Sequence, residues 1–192
     1  MEDTLMSNQK HKLYLGIAGQ LLSGKSSASN FLVQRFKAEH LRFSKLLDEM
    51  LDILDLEKNR FNEQQMGVLV KELFGEESLS NALKARAELS EKNVILFDGL
   101  RKKQEVDFLR QLPGFKFIYI KASPEIRYQR MRNRKEKVGE SEQTYEEFLK
   151  SEAHEADKQI AQLEQLADFV ISNESTPEQF EALLTRLLTT DL

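Results

Sequence analysis

Cysteine and tryptophan are absent from this chain of 192 residues, and it holds only three prolines and eight glycines. Without cysteine there are no disulfides, no thiolate nucleophile and no cysteine-ligated zinc, a composition that fits a reducing, cytoplasmic setting. Histidine is nearly as scarce. His11, His40 and His154 are scattered without metal-ligand spacing, and are read as solvated or structural. Sparse glycine and proline leave no linker to divide the chain, so one domain with a sizeable core is expected. No apolar run approaches a membrane span. The polar stretch Met1 to Lys12 lacks the apolar centre of a signal peptide, and residues 1–11 are expected to form a disordered tail. The formal charge of −4 argues against a general nucleic-acid binder.

Against this background one motif stands out. Gly19-Gln20-Leu21-Leu22-Ser23-Gly24-Lys25-Ser26 is a complete G-x-x-x-x-G-K-[ST] sequence. The apolar run Leu13 to Ala18 before it reads as a buried strand. From Ser27 to Phe36, the residues Ala28, Phe31, Leu32 and Phe36 recur at helical spacing. Strand, glycine-rich turn and helix is the context a phosphate-binding P-loop requires. Unpaired N–H groups at the turn and helix start, Ser27 included, together with the helix dipole, favour an anion there. Lys25 is placed to reach the β- and γ-phosphates of ATP, and the Ser26 hydroxyl to ligate Mg²⁺.

Further strands are expected at Glu39–Phe43, Asn93–Asp98, Phe115–Lys121 and Phe169–Ser172. Helices are expected at Lys25–Phe36, Ser44–Leu54, Asn62–Phe74, Leu79–Leu89, Lys102–Leu112, Pro124–Arg134, Thr144–Leu166 and Pro177–Leu188. Thr176-Pro177-Glu178-Gln179 reads as an N-cap followed by proline at the first helical position. Alternating strands and helices imply an α/β, three-layer P-loop NTPase fold with a parallel sheet of about five strands. A ligand in such a sheet lies beyond the carboxyl ends of the strands.

Asp98 ends the strand Val94-Ile95-Leu96-Phe97 and precedes Gly99-Leu100-Arg101. A carboxylate there can hold Mg²⁺ directly or through water, and the planar fork of Arg101 suits an acceptor phosphate. Between residues 39 and 89 lies a helical region of acceptor-binding size, with Arg60 and Arg86. Asp48, Asp52 and Asp55 read as the polar flank of its first helix. Arg127, Arg130, Arg132 and Arg134 form a basic cluster in which Arg127, Arg130 and Arg134 lie within one or two turns, while Arg132 projects elsewhere. Lys121–Lys137 carries a local balance of +5 and Glu140–Asp157 one of −6. Such arginines can neutralise a transferring phosphoryl group, or pair with the acidic stretch that follows. Residues 134–144 read as a small mobile lid.

From Lys12 to Leu188 these residues resemble the P-loop nucleoside and deoxynucleoside monophosphate kinases, the adenylate kinase and dephospho-CoA kinase-like group. Gly19–Ser26 matches the phosphate loop. Asp98-Gly99-Leu100-Arg101 is similar to an element whose arginine binds the acceptor phosphate. Arg130 and Arg134 match paired lid arginines, of which the first packs on adenine and the second contacts phosphate. Ala167–Glu174 is similar to the strand and adenine-side loop of dephospho-CoA kinases, which puts Asn173 at the nucleotide. Ser23-Gly24-Lys25 together with Leu41–Leu47 also looks like bacteriophage-type deoxynucleoside monophosphate kinases. Many members carry glycine where Leu22 stands, and the acidic and His-Pro elements of true dephospho-CoA kinases are missing before Asn93. The resemblance implies transfer of the ATP γ-phosphoryl to a small nucleotide, with Mg²⁺, by a monomer or weak homodimer. A kinase for dephospho-CoA or another metabolite, or a nucleotide-binding protein without transfer activity, are the alternatives.

Overall fold

The structure, a computed structural model, describes residues 12–134, 143–152 and 155–191. Five parallel strands form one sheet: β1 (Leu13–Ala18), β2 (Glu39–Arg42), β3 (Val94–Asp98), β4 (Lys116–Lys121) and β5 (Phe169–Ser172), in the order β2-β3-β1-β4-β5. β1 is central. Its Ile17 is registered against Asp98 on one side and Ile118 on the other. The chain runs outward to β2, returns through β3 and then crosses β1 to β4. The carboxyl end of β1 is therefore the point where strand order reverses, and that is where α/β sheets bind ligands.

The continuous apolar runs of β1, β3 and β4 are buried on both faces, as expected of a covered parallel sheet. On one face, α1 (Lys25–Phe36) and α9 (Pro177–Arg186) press Ala28, Leu32, Phe180 and Leu184 onto Leu15, Ile17, Ile118 and Ile120. On the other face, α2 (Phe43–Ile53), α4 (Ser78–Leu89) and α5 (Lys103–Leu109) bury Leu46, Leu83 and Val106 with Phe97, Phe115 and Phe117. Each fully buried aliphatic or aromatic side chain of this kind contributes about 1.5–3 kcal/mol. Gly16 of β1 is required by close approach. A Cβ there would stand 2.5 Å from the Phe115 ring.

Element boundaries agree with the sequence to within a few residues, with one larger difference. Over Thr144–Leu166, where one helix is expected, the described residues form α7 (Tyr145–Glu152), α8 (Glu155–Gln162) and, in place of the last helical turn, a 3₁₀ turn at Leu163–Leu166. The tightened turn delivers Asp168, whose backbone N–H donates to Phe117 O at 2.9 Å and whose carboxylate accepts from Phe117 N at 2.7 Å. Those bonds set the register of β5 on β4, so the helix has to stop short. α9 starts as its sequence implies, with a Thr176–Gln179 capping box and Pro177 in the first turn. Similarly, α3 (Arg60–Phe74) opens on Asn59, whose side chain accepts from Asn62 N, and closes on Gly75. Remaining between β4 and α7 is α6 (Pro124–Arg134), the helix of the arginine cluster.

Candidate active site

Gly19 to Gly24 wrap the carboxyl end of β1 and lead into α1. Ser23 N donates to Gln20 O at 3.1 Å, and Gly24, the N-cap, has φ 96°. No side chain caps α1 and no acidic residue occupies its first turn. Its first N–H groups, those of Lys25, Ser26 and Ser27 among them, are therefore left for an anion. Both loop glycines are fixed by contact. A Cβ on Gly19 would lie 2.5 Å from Ile120 O, and one on Gly24 would overlap the Asn173 amide. Leu22 has φ 65°, a left-handed conformation that glycine adopts without strain. The resemblance to loops with glycine at this place thus has a backbone reason. Leu21, Ser26 and Ser27 are exposed at the rim, whereas the Ser23 hydroxyl is buried without a hydrogen-bond partner among the described residues.

The Lys25 ammonium donates to Asp98 Oδ1 at 2.7 Å. The other carboxylate oxygen lies 3.0 Å from His40 Nε2. Asp98 is only 5% exposed. Burial alone would raise its pKa, but the His40 hydrogen bond and the Lys25 charge outweigh it and bring the pKa down to about 2 from an ordinary 3.8. A carboxyl with a depressed folded pKa stabilises above its unfolded value and loses that contribution as pH falls through the folded one. Acid titration monitored by unfolding free energy should show about 2 kcal/mol of stability disappearing between pH 4 and pH 2. Asp98→Asn should lack that component, and an unchanged acid limb in the variant would refute the assignment.

His40 is the residue that sequence reasoning missed. It is not a bystander histidine, since β2 places it diagonally across from Asp98: His40 is registered on Leu96 and Arg42 on Asp98. Histidine and a strand-end aspartate two registers apart on adjacent parallel strands was the available signal, but strand order is not written in a single sequence. A cleft of about 450 Å³ opens along the outer edge of β2, lined by His40, Arg42, Lys45 and Arg86 among others. Of these, Arg86 donates to Glu49 at 2.5 Å. Arg101 is exposed just past the Asp98–Gly99 turn, and its charge and that of Arg60 act on Glu63 of α3. Glu63 has a raised pKa, chiefly from burial and then from the facing Asp48 carboxyl. Asp52 pairs with Lys58 on the surface, as a polar flank would.

The arginine cluster divides in a way the sequence does not reveal. Arg130 NH1 donates to Leu22 O at 3.1 Å and Ser23 O at 3.2 Å, and its NH2 to Asn173 O at 2.8 Å. Asn173 Nδ2 in turn donates to Ser23 O at 2.8 Å. Arg130 and Asn173 together tie the P-loop to the segment after β5. Arg127, by contrast, does not await a phosphate. It is 2% exposed, bonds Glu152 of α7 through both terminal nitrogens and Ala122 O through Nε, and lies over the Phe148 ring. Of the two readings of the cluster, neutralising a phosphoryl group or pairing with the acidic stretch that follows, Arg127 takes the second: Glu152, within that stretch, already offsets its charge. Arg127→Ala should destabilise the fold by about 3–5 kcal/mol by stranding Glu152, whereas exposed Arg132→Ala should stay within about 0.5 kcal/mol. Denaturant unfolding of the two variants makes the comparison, and equal midpoints would contradict it. The Arg134 side chain and residues 135–142 of the lid expected over 134–144 lie outside the described residues, as do His11 and His154.

A P-loop at the switch point of a five-stranded parallel sheet, with a strand-end aspartate on its lysine, defines the P-loop kinase fold. Solved structures agree. Shikimate kinase from Bacteroides thetaiotaomicron aligns with a TM-score of 0.58 at 14% identity, covering 92% of this chain and 98% of that one. A gluconokinase from Sinorhizobium meliloti aligns at 0.51 and 13% identity, covering 91% and 92%. The chain belongs to the AAA domain family, whose model matches residues 15–168. It is also similar to UPF0200 proteins. One, from Hyperthermus butylicus, is 26% identical over 178 residues, covering 93% of this chain and 94% of the relative. Another, from Methanocaldococcus jannaschii, is 27% identical over 177 residues, covering 91% and 87%.

Proposed function

We propose that this chain transfers the γ-phosphoryl of ATP to the phosphate of a nucleoside or deoxynucleoside monophosphate. The observation that carries the reading is Lys25 held on buried Asp98 beside a helix start with free N–H groups. In this reading the loop amides and Lys25 hold the β- and γ-phosphates, and Arg101 holds the acceptor phosphate with Arg60 nearby. Arg130, with Arg134 from the same helix, closes on the donor side. An acceptor oxygen attacks the γ-phosphorus, the bond to the β-phosphate oxygen breaks, and ADP leaves with the charge. Lys25 and the arginines stabilise charge spread over the transferring group, and positioning supplies most of the remainder.

The donor set fits Mg²⁺. The exposed Ser26 hydroxyl and the Asp98 carboxylate are hard oxygen ligands, and Asp98, whose two oxygens bond Lys25 and His40 here, would meet the ion once Lys25 turns to the nucleotide phosphates. No group of three or more His, Asp or Glu side chains that could hold a metal occurs among the described residues. That is too few for an all-protein cage, but it suits an ion shared with nucleotide phosphates. Bound there, Mg²⁺ would neutralise phosphate charge. His40 holds the second Asp98 oxygen and so orients the carboxylate.

A second reading, a kinase for a small hydroxylated metabolite, is favoured by the facing Asp48 and Glu63 carboxyls near Arg101, which suit hydrogen-bond donors on an acceptor. Residues 39–89 serve as the acceptor region in both readings. An ATP-consumption screen over ribo- and deoxyribonucleoside monophosphates, dephospho-CoA and hydroxylated acids separates them. Turnover above background with a monophosphate is expected, and acceptor-independent binding without turnover would leave a nucleotide-binding protein. In the active pairing, Asp98→Asn should lower kcat and raise the Mg²⁺ requirement. Wild-type Mg²⁺ dependence would make Asp98 structural.

A further inference from the structure

The cleft at the outer edge of β2 belongs neither to the P-loop nor to the acceptor region. β2 pairs with β3 and, among the described residues, with nothing on its outer side. All four of its residues line the cleft, with α2 and α4 as walls. α2 divides this cleft from the acceptor region. Lys45 lines the cleft, and Glu49, one turn on, bonds Arg86 of α4, another lining residue. Asp48, between them in sequence, is turned to Glu63 of α3 instead. The charge of the cleft is uneven. Arg42, Lys45, Arg86 and Lys92 line it against two carboxylates, Glu39 and Glu91, on a chain whose formal charge is −4. Arg86 is matched by Glu49, but Arg42, Lys45 and Lys92 make no ion pair among the described residues. Charges alone suffice to keep an open strand edge from pairing with another chain. They do not require a cavity of about 450 Å³ walled by two helices, which is the size of a small-molecule site.

The two ends of the cleft differ in chemistry. Arg42 and Lys45 stand where β2 passes into α2, and both are exposed. At the other end of β2 are Glu39 and the Ser90 hydroxyl, joined by a long bond of 3.4 Å, followed by Glu91 and Lys92. Leu89, 84% exposed, adds an apolar surface beside them. Along β2, Glu39 and Arg42 are about 10 Å apart, the length of a sugar phosphate. We propose that this cleft is a second ligand site, taking a phosphomonoester with a hydroxylated body. Its phosphate sits on Arg42 and Lys45, and its hydroxyls on Glu39, Ser90 and Glu91. The phosphate supplies the charge that Arg42 and Lys45 lack, through charge-assisted hydrogen bonds. The carboxylates accept from hydroxyls, which a second phosphate at that end would not allow. A sugar phosphate and a nucleoside monophosphate share this chemistry.

Amide chemical shifts of the full chain, titrated separately with ribose 5-phosphate, AMP and inorganic phosphate, resolve this site from the P-loop. At millimolar concentration both esters should move the amides of residues 39–45 and 90–92 along one saturable curve, whatever happens at residues 19–27. AMP binding tighter than ribose 5-phosphate identifies a nucleotide as the source, and equal affinity identifies a sugar phosphate. Arg42→Gln/Lys45→Gln, which keeps side-chain length and removes the charge, should weaken the cleft response more than tenfold and leave any P-loop response intact. Arg132→Gln, on α6, should change neither. If the double variant fails to fold, Glu39→Gln decides: it should weaken ribose 5-phosphate several-fold and leave inorganic phosphate unchanged. Cleft amides that stay still with both esters overturn the proposal. So does a folded double variant with wild-type affinity. Inorganic phosphate binding as tightly as the esters overturns it too, since the cleft would then hold an adventitious ion only.

Discussion

Lys25→Ala is expected to lower phosphoryl transfer by on the order of a hundredfold or more, the usual cost of losing one preorganised charge aimed at a developing one. The structure adds a second consequence. Lys25 is one of two groups holding Asp98, whose side chain is almost wholly buried. Removing the ammonium leaves that carboxylate on His40 alone, so stability should fall by about 1–3 kcal/mol. The two effects can be separated. Lys25→Ala/Asp98→Asn removes the stranded charge and should recover most of the stability while recovering none of the transfer. Single-turnover kinetics and denaturant unfolding on both variants measure the pair. Transfer within a few-fold of wild type in the single variant would end the P-loop assignment.

What was legible in the sequence is what local physics determines. The strand–loop–helix around Lys25 follows from an apolar run, two glycines and a helical period. The start of α9 follows from its capping residues, and the sheet class from alternation of elements. What was not legible depends on strand order and side-chain pairing. His40 and Asp98 are far apart in sequence and meet only because β2 lies beside β3. Arg127 and Arg130 look equivalent on one helix, yet one is buried against Glu152 of α7 and the other braces the P-loop. No periodicity argument separates them, because the partners come from different elements. Asn173 was expected at the nucleotide from its resemblance. Its bonds to Ser23 and from Arg130 give it a structural role at the loop, which the resemblance did not contain.

That brace makes Gly24 the position with the largest expected effect outside Lys25. Gly24→Ala meets two separate penalties. Its φ of 96° is one that a residue with a Cβ adopts only under strain, costing about 1–2 kcal/mol. The new methyl would also occupy the space of the Asn173 amide, which is buried and bonded to Ser23 O. Displacing it leaves the buried Asn173 amide donor unpaired, while Ser23 O keeps only its bond from Arg130, at about 1–3 kcal/mol. Together these should lower Tm by roughly 5–15 °C, taking about 2–4 °C per kcal/mol at this chain length. Because the displaced groups shape the anion site, ATP affinity should fall more than tenfold. Gly114→Ala is the control. Gly114 also has positive φ, 71°, but nothing lies within 4 Å of its Cβ position. It should carry the strain cost alone and leave ATP binding unchanged. Asn173→Ala in the Gly24→Ala background removes the overlap without the strain, so its Tm should not fall further despite the second loss. Calorimetric unfolding and ATP titration across the four proteins resolve the contributions. If Gly24→Ala and Gly114→Ala behave alike in both, the contact between Gly24 and Asn173 does not hold the loop.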